Sequence, residues 1–487
     1  MNTVALQMSM IIIYLVVTLG ISMFFSKRNT GTKSYFLAKG NLGVLLCVSL
    51  LVTECISAGT LVGAASTGFS AGLSSVWASW GQVIGIVLFI LFAAKFFRVM
   101  HKEHGVMSIA QCYEYLFDRR GRMVMLFVAS INYGILFSVT PVAVARVINP
   151  IVGVSESAIC WITGIVFIIM TIIGGLGAIA WMNVVNLVLI FGSVIAISSS
   201  VIREAGGLGM IYQTLPPTYF SVWQPTTMTA LAGGLGTGIA QIASSCNANI
   251  AFSAKTYRTA KISFFITAIA LFLFALFPSI IGIAGKVILP DAQSATILYT
   301  IANHVSPALG GVAAMVTTAA CASSGPAFLL LTCTTVTRDF YCVVKPEATD
   351  QQQLFFSRVC AVILGLIFTF LGTRTTSLLN QILGAFQIRS VVGIVLIIGV
   401  LWKRTTKSGA FWGMLLGGFV AAAWFFMGNP YGISCLWPGA AVTLAAVFGI
   451  SLFGKNLELS GYEEYHRMLR QFDSLEQQDL ERASRKE

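Results

Sequence analysis

Apolar stretches long enough to cross a lipid bilayer recur along almost the whole chain, and no other feature constrains its fold as strongly. A transmembrane helix needs about 20 mostly apolar residues, and the sequence contains thirteen candidate segments of this kind. Charged residues make up only 10% of the chain, whereas soluble globular proteins carry about 25%. The sequence therefore predicts an all-α polytopic membrane protein with thirteen transmembrane helices.

The thirteen segments comprise a leading one, ten that we number as core segments one to ten, and two trailing ones. The leading segment is Ala5–Phe25. The core segments are, in order, Leu42–Ser70, Ser74–Phe97, Met123–Ile148, Ala158–Gly175, Ala178–Ile202, Met228–Phe252, Ile262–Ile288, Pro307–Phe340, Phe355–Leu371 and Leu378–Leu401. The trailing segments are Ser408–Met427 and Gly432–Phe453. We expect four parts: residues 1–41 with the leading helix, the core at 42–401, the trailing helices at 402–454, and a charged tail at 455–487 that forms a solvated end.

The distribution of basic residues predicts the orientation, because cytoplasmic loops collect Lys and Arg. If the N-terminus lies outside and the C-terminus inside, six cytoplasmic regions contain 25 of the 30 basic residues: Lys27–Lys39, Lys95–Arg122, Lys255–Lys261, Arg338–Arg358, Lys403–Lys407 and the tail from Lys455. The net charge of +12 then reflects topology and contact with anionic lipid of a plasma (inner) membrane, not nucleic acid. We expect a monomer or a weak oligomer.

Two ionisable residues lie deep within predicted segments, where a charge is costly and indicates function. Glu54 is the only carboxylate in the middle of a segment, and Arg389 is the only cation well inside one. They could form a buried ion pair between helices. Alternatively, one or both could face a water-filled cavity for a solute.

Helix-breaking and polar residues interrupt three core segments. Segment one contains Ser57-Ala58-Gly59, segment six contains Gly233–Gly238 followed by Gln241 and Ser244, and segment eight contains Ser323-Ser324-Gly325-Pro326. Irregular backbone at membrane depth is tolerated only inside protein or along a cavity, although single glycines can also serve close helix packing. Breaks at matching places in segments one and six, within two five-segment halves, indicate an alternating-access transporter. Free carbonyls and Ser hydroxyls in segments one and eight are ligands that suit a hard cation such as Na⁺.

Several stretches resemble motifs of the sodium:solute symporter family, whose members include proline, pantothenate, sialic acid and galactose symporters. They are Ser34–Gly40 before segment one, Ser57–Gly63, Gly174–Trp181, Ala319–Ser324 with Thr337–Tyr341, and Trp402–Thr406. The resemblance implies a five-plus-five inverted-repeat (LeuT-type) core, with repeats at 42–202 and 228–401. It also implies that Na⁺ binds to the carbonyls of Thr53, Ile56 and Ala320 and to the hydroxyls of Ser323 and Ser324.

The chain departs from the family pattern at two positions. Many members have Asp in segment five where this chain has Asn183, and the Asp in segment one of the proline carriers is replaced by Cys55, with Glu54 one position earlier. Because a neutral carbonyl attracts a cation less than a carboxylate does, we expect one Na⁺ per solute.

The function predicted is that of a secondary-active sodium symporter that imports a small organic solute, and not that of an enzyme. Candidate solute contacts are Glu54, Ser57, Gly59, Gln241, Ser244, Phe386, Gln387 and Arg389. The buried Arg389 favours a carboxylate or amino-acid-like solute, which its guanidinium can bind through two parallel hydrogen bonds. A neutral sugar or polyol, with Arg389 and Glu54 paired as a gate, is the alternative. An uncoupled facilitator or channel is a further alternative, but it would not need the Ser323/Ser324 pair. A sensor built on a transporter core would usually add a soluble signalling domain.

Overall fold

Helices account for nearly all of the chain in the computed structural model, which describes residues 3–26, 42–223, 227–375, 377–454 and 458–472. Within those ranges the only β-type pairings are two isolated bridges, Leu42 with Ala254 and Thr406 with Leu459. The predicted all-α architecture is confirmed. The motif at residues 34–40 and the tail beyond residue 472 lie outside the described residues.

The helices cover the predicted segments, but segments four and five lie in one continuous helix and not in two. The leading helix is Thr3–Ser26. The first half of the core comprises Val44–Cys55, Ala58–Ala71, Trp77–Phe92, Ala94–His104, Ile109–Val152 and Glu156–Glu204. The second half comprises Thr227–Ile242, Ser245–Ser253, Tyr257–Phe274, Leu276–Ile288, Ile297–Val305, Pro307–Val336, Asp350–Gly372 and Leu378–Leu401. The trailing helices are Lys407–Phe426 and Leu436–Phe453.

The count of thirteen membrane crossings is not established by the helices themselves. Among the described residues, 10 helical stretches are long and apolar enough to cross a membrane, and two shorter apolar helices are Thr3–Thr18 and Val44–Cys55. The number of long apolar helices is smaller than the number of predicted segments partly because of the break in segment one. The break leaves the short helix Val44–Cys55, and the second half of segment one continues into segment two as Gly59–Phe92. Many large apolar side chains are exposed, such as Val188 and Phe419, and a bilayer would cover them.

The breaks in segments one and six occur at polar residues. In segment one the helix ends at Cys55, Ile56 takes φ −90° and ψ 72°, and Ser57 stands at the N-terminal end of the next helix without a side-chain capping bond. In segment six the helix Thr227–Ile242 ends before Ser244, whose hydroxyl accepts from the N–H of Asn247 at the start of the next helix. Segment eight, by contrast, remains helical through Pro326.

The glycine run of segment six is helical and serves close packing. A Cβ atom on Gly81 of segment two would lie 2.1 Å from the carbonyl oxygen of Gly234, and one on Gly85 would lie 2.3 Å from that of Gly238. The backbones of segments two and six therefore touch, as small residues allow between membrane helices. This contact fixes segment six against segment two just before its break.

The start of the C-terminal tail packs against the bundle, so the prediction of a solvated end is wrong for residues 458–472. Tyr465, Met468 and Phe472 are buried, and the Tyr465 hydroxyl donates to the carbonyl of Phe92. The backbone N–H of Gly461 donates to the carbonyl of Leu116 at 2.8 Å. These apolar side chains are too sparse for a membrane span but sufficient to seat one short helix.

Candidate functional site

A continuous set of polar side chains occupies the middle of the bundle, where the two broken segments meet segments three and ten. It runs from Glu54 in segment one through Ser244 in segment six and Tyr133 in segment three to Arg389 in segment ten. All four residues are buried. The helix breaks place Glu54 and Ser244 there, since each lies within two residues of the interrupted backbone.

Arg389 is fully buried, with 0% of its surface exposed. Its Nη1 donates to Oδ1 of Asn132 at 3.1 Å and to the hydroxyl of Tyr133 at 3.0 Å. The guanidinium also lies over the rings of Phe386 and Tyr133, 5.0 and 5.4 Å from their centroids. Nε and Nη2 have no hydrogen-bond partner among the described residues. The cation is thus held by neutral groups on one edge and offers two donors on the other.

Glu54 does not form a direct ion pair with Arg389, because no carboxylate oxygen of the one lies within 4.0 Å of a nitrogen of the other. Its Oε1 accepts from the Ser244 hydroxyl at 3.5 Å, while Oε2 has no partner in the described part of the chain. Of the two interpretations of the sequence, a direct buried pair is therefore not what the structure contains.

The hydroxyl of Tyr133 connects the two charged residues. It accepts from Nη1 of Arg389 and from the backbone N–H of Ser245 at 2.9 Å, and it lies 3.2 Å from Oγ of Ser244. With those donors bound to it, its own proton points to Ser244, whose proton in turn goes to Glu54. The bond to Ser245 also satisfies an N–H at the start of helix Ser245–Ser253, which has no partner within its own helix.

A second polar cluster ties the two breaks to segment two. Nε2 of Gln241 lies 3.4 Å from Oε1 of Gln82, and Nδ2 of Asn247 donates to Oε1 of Gln241 at 3.2 Å. Nε2 of Gln82 lies 3.5 Å from the carbonyl of Cys55 at the end of the first half-helix. Gln241 is therefore placed at the junction of the breaks, as predicted, but its amide is engaged with protein.

The other predicted solute contacts do not all lie beside Arg389 and Glu54. Gly59 faces Ile382 of segment ten, whose Cδ1 would lie 1.8 Å from an added Cβ. Ser57 is buried and its carbonyl accepts from Thr60 and Leu61. Gln387 lies beside the trailing helices, since its Oε1 accepts from the thiol of Cys435 at 3.0 Å. The structure brings Glu54, Ser244, Phe386 and Arg389 into one group and directs Gln387 away from it.

The residues predicted to bind Na⁺ lie where segments one and eight pack against each other. Oγ of Ser323 and Oγ of Ser324 each lie 2.8 Å from the carbonyl oxygen of Ala320. Across from them, the backbone bonds around the break run from Ile56 to Val52 and from Thr60 and Leu61 to Ser57, so they skip the carbonyls of Thr53, Cys55 and Ile56. The carbonyls of Thr53 and Ile56 are thereby left outside the helical hydrogen-bond pattern, and such oxygens suit a hard cation.

Sequence reasoning missed the residues that hold Arg389 and join the breaks. Asn132 and Tyr133 form a polar pair in the middle of apolar segment three, and this pair is the signal that could have identified them. Gln82 and Asn247 are likewise polar residues inside predicted segments. All four are buried.

The comparisons with known proteins agree with this arrangement. The chain is 23% identical over 473 residues to the sodium/pantothenate symporter of Escherichia coli (strain K12), which covers 92% of this chain and 96% of that protein. It is 23% identical over 454 residues to the high-affinity proline transporter PutP of Bacillus subtilis (strain 168), covering 89% and 95%. A solved Na⁺-coupled sialic acid symporter, in a substrate-bound outward-open state, has a TM-score of 0.79 at 17% identity over 93% of this chain and 99% of that chain.

The likeness to that solved structure confirms the predicted inverted-repeat fold. The model of the "Sodium:solute symporter family" matches residues 35–417. That match covers most of the chain, and the chain belongs to the sodium:solute symporter family.

Proposed function

We propose that the chain is a secondary-active symporter that uses inward Na⁺ flow to import a small organic carboxylate by alternating access. Sodium-coupled import of a small solute is the activity of the family to which it belongs. One observation carries the choice of a carboxylate. Nε and Nη2 of the fully buried Arg389 have no partners among the described residues, and these two donors share the edge of a guanidinium that binds a carboxylate through two parallel hydrogen bonds.

The neutral groups around Arg389 support this proposal. Asn132 and Tyr133 orient the guanidinium through Nη1 without cancelling its charge. The rings of Phe386 and Tyr133 add attraction to a cation while excluding water from it. A buried cation held by neutral partners gains from an anion that arrives with the solute, because an uncompensated buried charge is costly.

The neutral sugar or polyol remains the second candidate. It is favoured by the hydrogen-bond relay from Glu54 through Ser244 and Tyr133 to Arg389, which could act as a gate. We prefer the carboxylate because the relay leaves Nε and Nη2 of Arg389 without hydrogen-bond partners among the described residues.

We propose Na⁺ as the coupling ion at Thr53, Ile56, Ala320, Ser323 and Ser324. The convergence of both Ser hydroxyls on the Ala320 carbonyl and the interrupted backbone at Ile56 support it. We propose that the two repeats are residues 42–202 and 228–401. We also propose that the chain lies in the plasma membrane with its N-terminus outside and its C-terminus in the cytoplasm. The breaks near Ile56 and Ser244 and the basic loops support these parts.

Uptake into proteoliposomes tests the proposal. A thermal-shift screen of small carboxylates, each paired with its neutral amide or alcohol, first selects the solute for the purified protein. We expect stabilisation by a carboxylate and not by its neutral partner, and uptake of the labelled carboxylate only with an inward Na⁺ gradient. Equal uptake with and without the gradient would indicate a facilitator, and binding of the neutral partners alone would favour the sugar or polyol.

A further inference from the structure

The docked start of the C-terminal tail contributes no residue to the proposed sodium and solute sites, yet it contacts segments two, three, seven and ten. Residues 458–461 lie beside the exit of segment ten, where the backbone N–H of Lys407 donates to the carbonyl of Glu458 at 2.8 Å. Residues 462–472 form a short helix. We call residues 458–472 the strap.

The segments that the strap contacts belong to two groups within the core. Segments one, two, six and seven pack extensively against one another, and segments three, eight and nine form a second group with the helix that contains segment four. Segment ten packs against both groups. Alternating access moves one such group against the other. Opening toward the cytoplasm therefore requires the two groups to separate at their cytoplasmic ends.

The helix of the strap is attached to the first group through its apolar face. The hydroxyl of Tyr465 donates to the carbonyl of Phe92, the last residue of a helix in segment two, and its ring centroid lies 5.3 Å from that of Phe96. The ring centroid of Phe472 lies 4.6 Å from that of Tyr257, the first residue of the helix of segment seven. Both tail side chains are buried.

The same strap is also attached to segments three and ten. The N–H of Gly461 donates to the carbonyl of Leu116 at 2.8 Å, and Leu116 lies on the helix Ile109–Val152, which contains segment three. Nε2 of His466 lies 3.3 Å from the carbonyl oxygen of Val400, near the end of segment ten. The strap thus connects the first group of segments to the helix of segment three.

The contact at Leu116 extends to segment eight, because an aspartate fixes the start of the same helix. This helix kinks at Phe117. Before the kink, the hydroxyl of Ser108 donates to Asp339 at 2.8 Å, and after the kink Arg122 pairs with the same carboxylate at 3.0 Å. Asp339 lies at the end of segment eight. Both sides of the kink are therefore held on the second group, and a pull on Leu116 acts on that group.

We propose that the strap is a restraint that joins the two groups at the cytoplasmic face and must detach from segments two and seven before the transporter opens to the cytoplasm. The inference rests on the proposed function, because it requires alternating access and a cytoplasmic C-terminus. With the strap docked, separation of the groups breaks the contacts of Tyr465 and Phe472 or those of Gly461. Its detachment therefore sets how readily the inward-open state forms.

The strap can detach at one end and stay attached at the other. Residues 458–461 are held by main-chain hydrogen bonds and follow the last trailing helix closely. The helix at 462–472 rests on segments two and seven mainly through Tyr465, Met468 and Phe472. Because a helix this short is marginal in water on its own, it is stable where it is docked and unfolds when it detaches. The restraint thus has two discrete states.

The test measures the separation of the two groups by pulsed EPR in the purified full-length protein, with Na⁺ alone as the added ion. The spin labels are placed on Lys261→Cys in segment seven and Arg358→Cys in segment nine, which are exposed positions. The ten native cysteines are buried or half-buried. We expect Met468→Glu to raise the fraction of the longer distance at least threefold, because burial of an unpaired carboxylate against apolar side chains is costly and the strap detaches.

The matched control is Gln471→Glu, which adds the same charge at an exposed position of the same helix and should give the wild-type distances. The anisotropy of a dye on Arg470→Cys, in separate samples, reports whether the strap has detached, and melting temperatures check the fold. If Met468→Glu does not fold, Tyr465→Ser replaces it, since it removes the hydrogen bond to Phe92 and the ring contact with Phe96.

Two results would overturn the restraint. One is an unchanged distance distribution in a variant whose strap has detached, and the other is a strap that stays attached in both Met468→Glu and Tyr465→Ser. Failure of the proposed function is a separate result. Uptake by the wild type that ignores the Na⁺ gradient, together with longer distances in Met468→Glu, would overturn sodium coupling and support the restraint.

Discussion

Nη1 of Arg389 lies 3.0 Å from the hydroxyl oxygen of Tyr133, and this contact joins the buried cation of segment ten to the break in segment six. The same hydroxyl accepts from the N–H of Ser245 at the start of a helix. Two groups with positive character therefore converge on one phenol oxygen. Movement of segment ten would pull on the half-helix Ser245–Ser253 through this oxygen, so a change at the solute site has a physical route to the break.

We predict that Arg389→Lys weakens solute binding by about tenfold or more. Lysine keeps the charge but loses the edge formed by Nε and Nη2, and with it the two parallel hydrogen bonds to a carboxylate. Titration of the purified variant with the selected carboxylate measures the affinity. Arg146→Lys is the matched control, since Arg146 lies near the end of segment three and donates to the carbonyl of Thr375 instead. Equal affinity in Arg389→Lys and wild type would contradict the assignment of the carboxylate to Arg389.

We predict that Ser323→Ala combined with Ser324→Ala abolishes sodium-stimulated uptake while the protein still folds. Both hydroxyls are removed, so only carbonyl ligands remain and affinity for a hard cation falls. Uptake in proteoliposomes is measured against Na⁺ concentration. Thr318→Ala serves as the control because its hydroxyl makes the same kind of bond within the helix, to Ala314 at 2.9 Å, but lines a different, apolar cavity. Unchanged sodium dependence in the double variant would rule out this site.

Two glycines make a prediction about stability, because one faces a side chain and the other faces backbone. A Cβ on Gly59 meets the tip of Ile382, whereas a Cβ on Gly81 meets the carbonyl of Gly234. We predict that Gly81→Ala lowers the free energy of unfolding by about 1–3 kcal/mol, as overpacking does, and that Gly59→Ala costs less and is relieved by Ile382→Ala. Thermal melting in detergent compares them. A larger loss for Gly59→Ala than for Gly81→Ala would show that Ile382 cannot move aside.

Gly59 also carries a prediction about the solute. We expect Gly59→Trp to block solute binding and to lower the melting temperature more than Gly59→Ala does, because Ile382 of segment ten already fills the space beside Gly59 and the indole must displace it. Thermal shift by the selected carboxylate measures binding, and circular dichroism checks the helices. Normal affinity in this variant would place the solute elsewhere.

The fold could be predicted from the sequence because hydropathy and helix breakers are local signals. The lengths of the apolar runs marked the segments, and Ser57-Ala58-Gly59 marked the break at Ile56. The partners of Arg389 could not be predicted in the same way, because Asn132 and Tyr133 lie on a distant segment and only packing brings them to it. Gln387 illustrates the same limit. Its position in segment ten predicts a solute contact, but its side chain turns toward Cys435, which precedes the second trailing helix.

The docked tail yields a prediction of pH dependence. Burial raises the pKa of Tyr465 to about 12, above the ordinary phenol value near 10. A group whose pKa is raised by folding stabilises the folded form fully below its unfolded pKa and loses that contribution as the pH rises through the folded one. We therefore expect the tail to stay docked up to about pH 10 and to detach as the pH approaches about 12.

The measurement is the fluorescence anisotropy of a dye attached to Arg470→Cys, in the same helix as Tyr465. Anisotropy should fall between those two pH values in the otherwise native protein. Tyr465→Phe removes the titrating group and the hydrogen bond to the Phe92 carbonyl, so its tail should be less firmly docked at neutral pH and show little further change on the alkaline side. His466→Gln is the control, because His466 lies beside Tyr465 and contacts the carbonyl of Val400 instead, and it should keep the alkaline transition. An alkaline transition of equal size in Tyr465→Phe would mean that another group releases the tail.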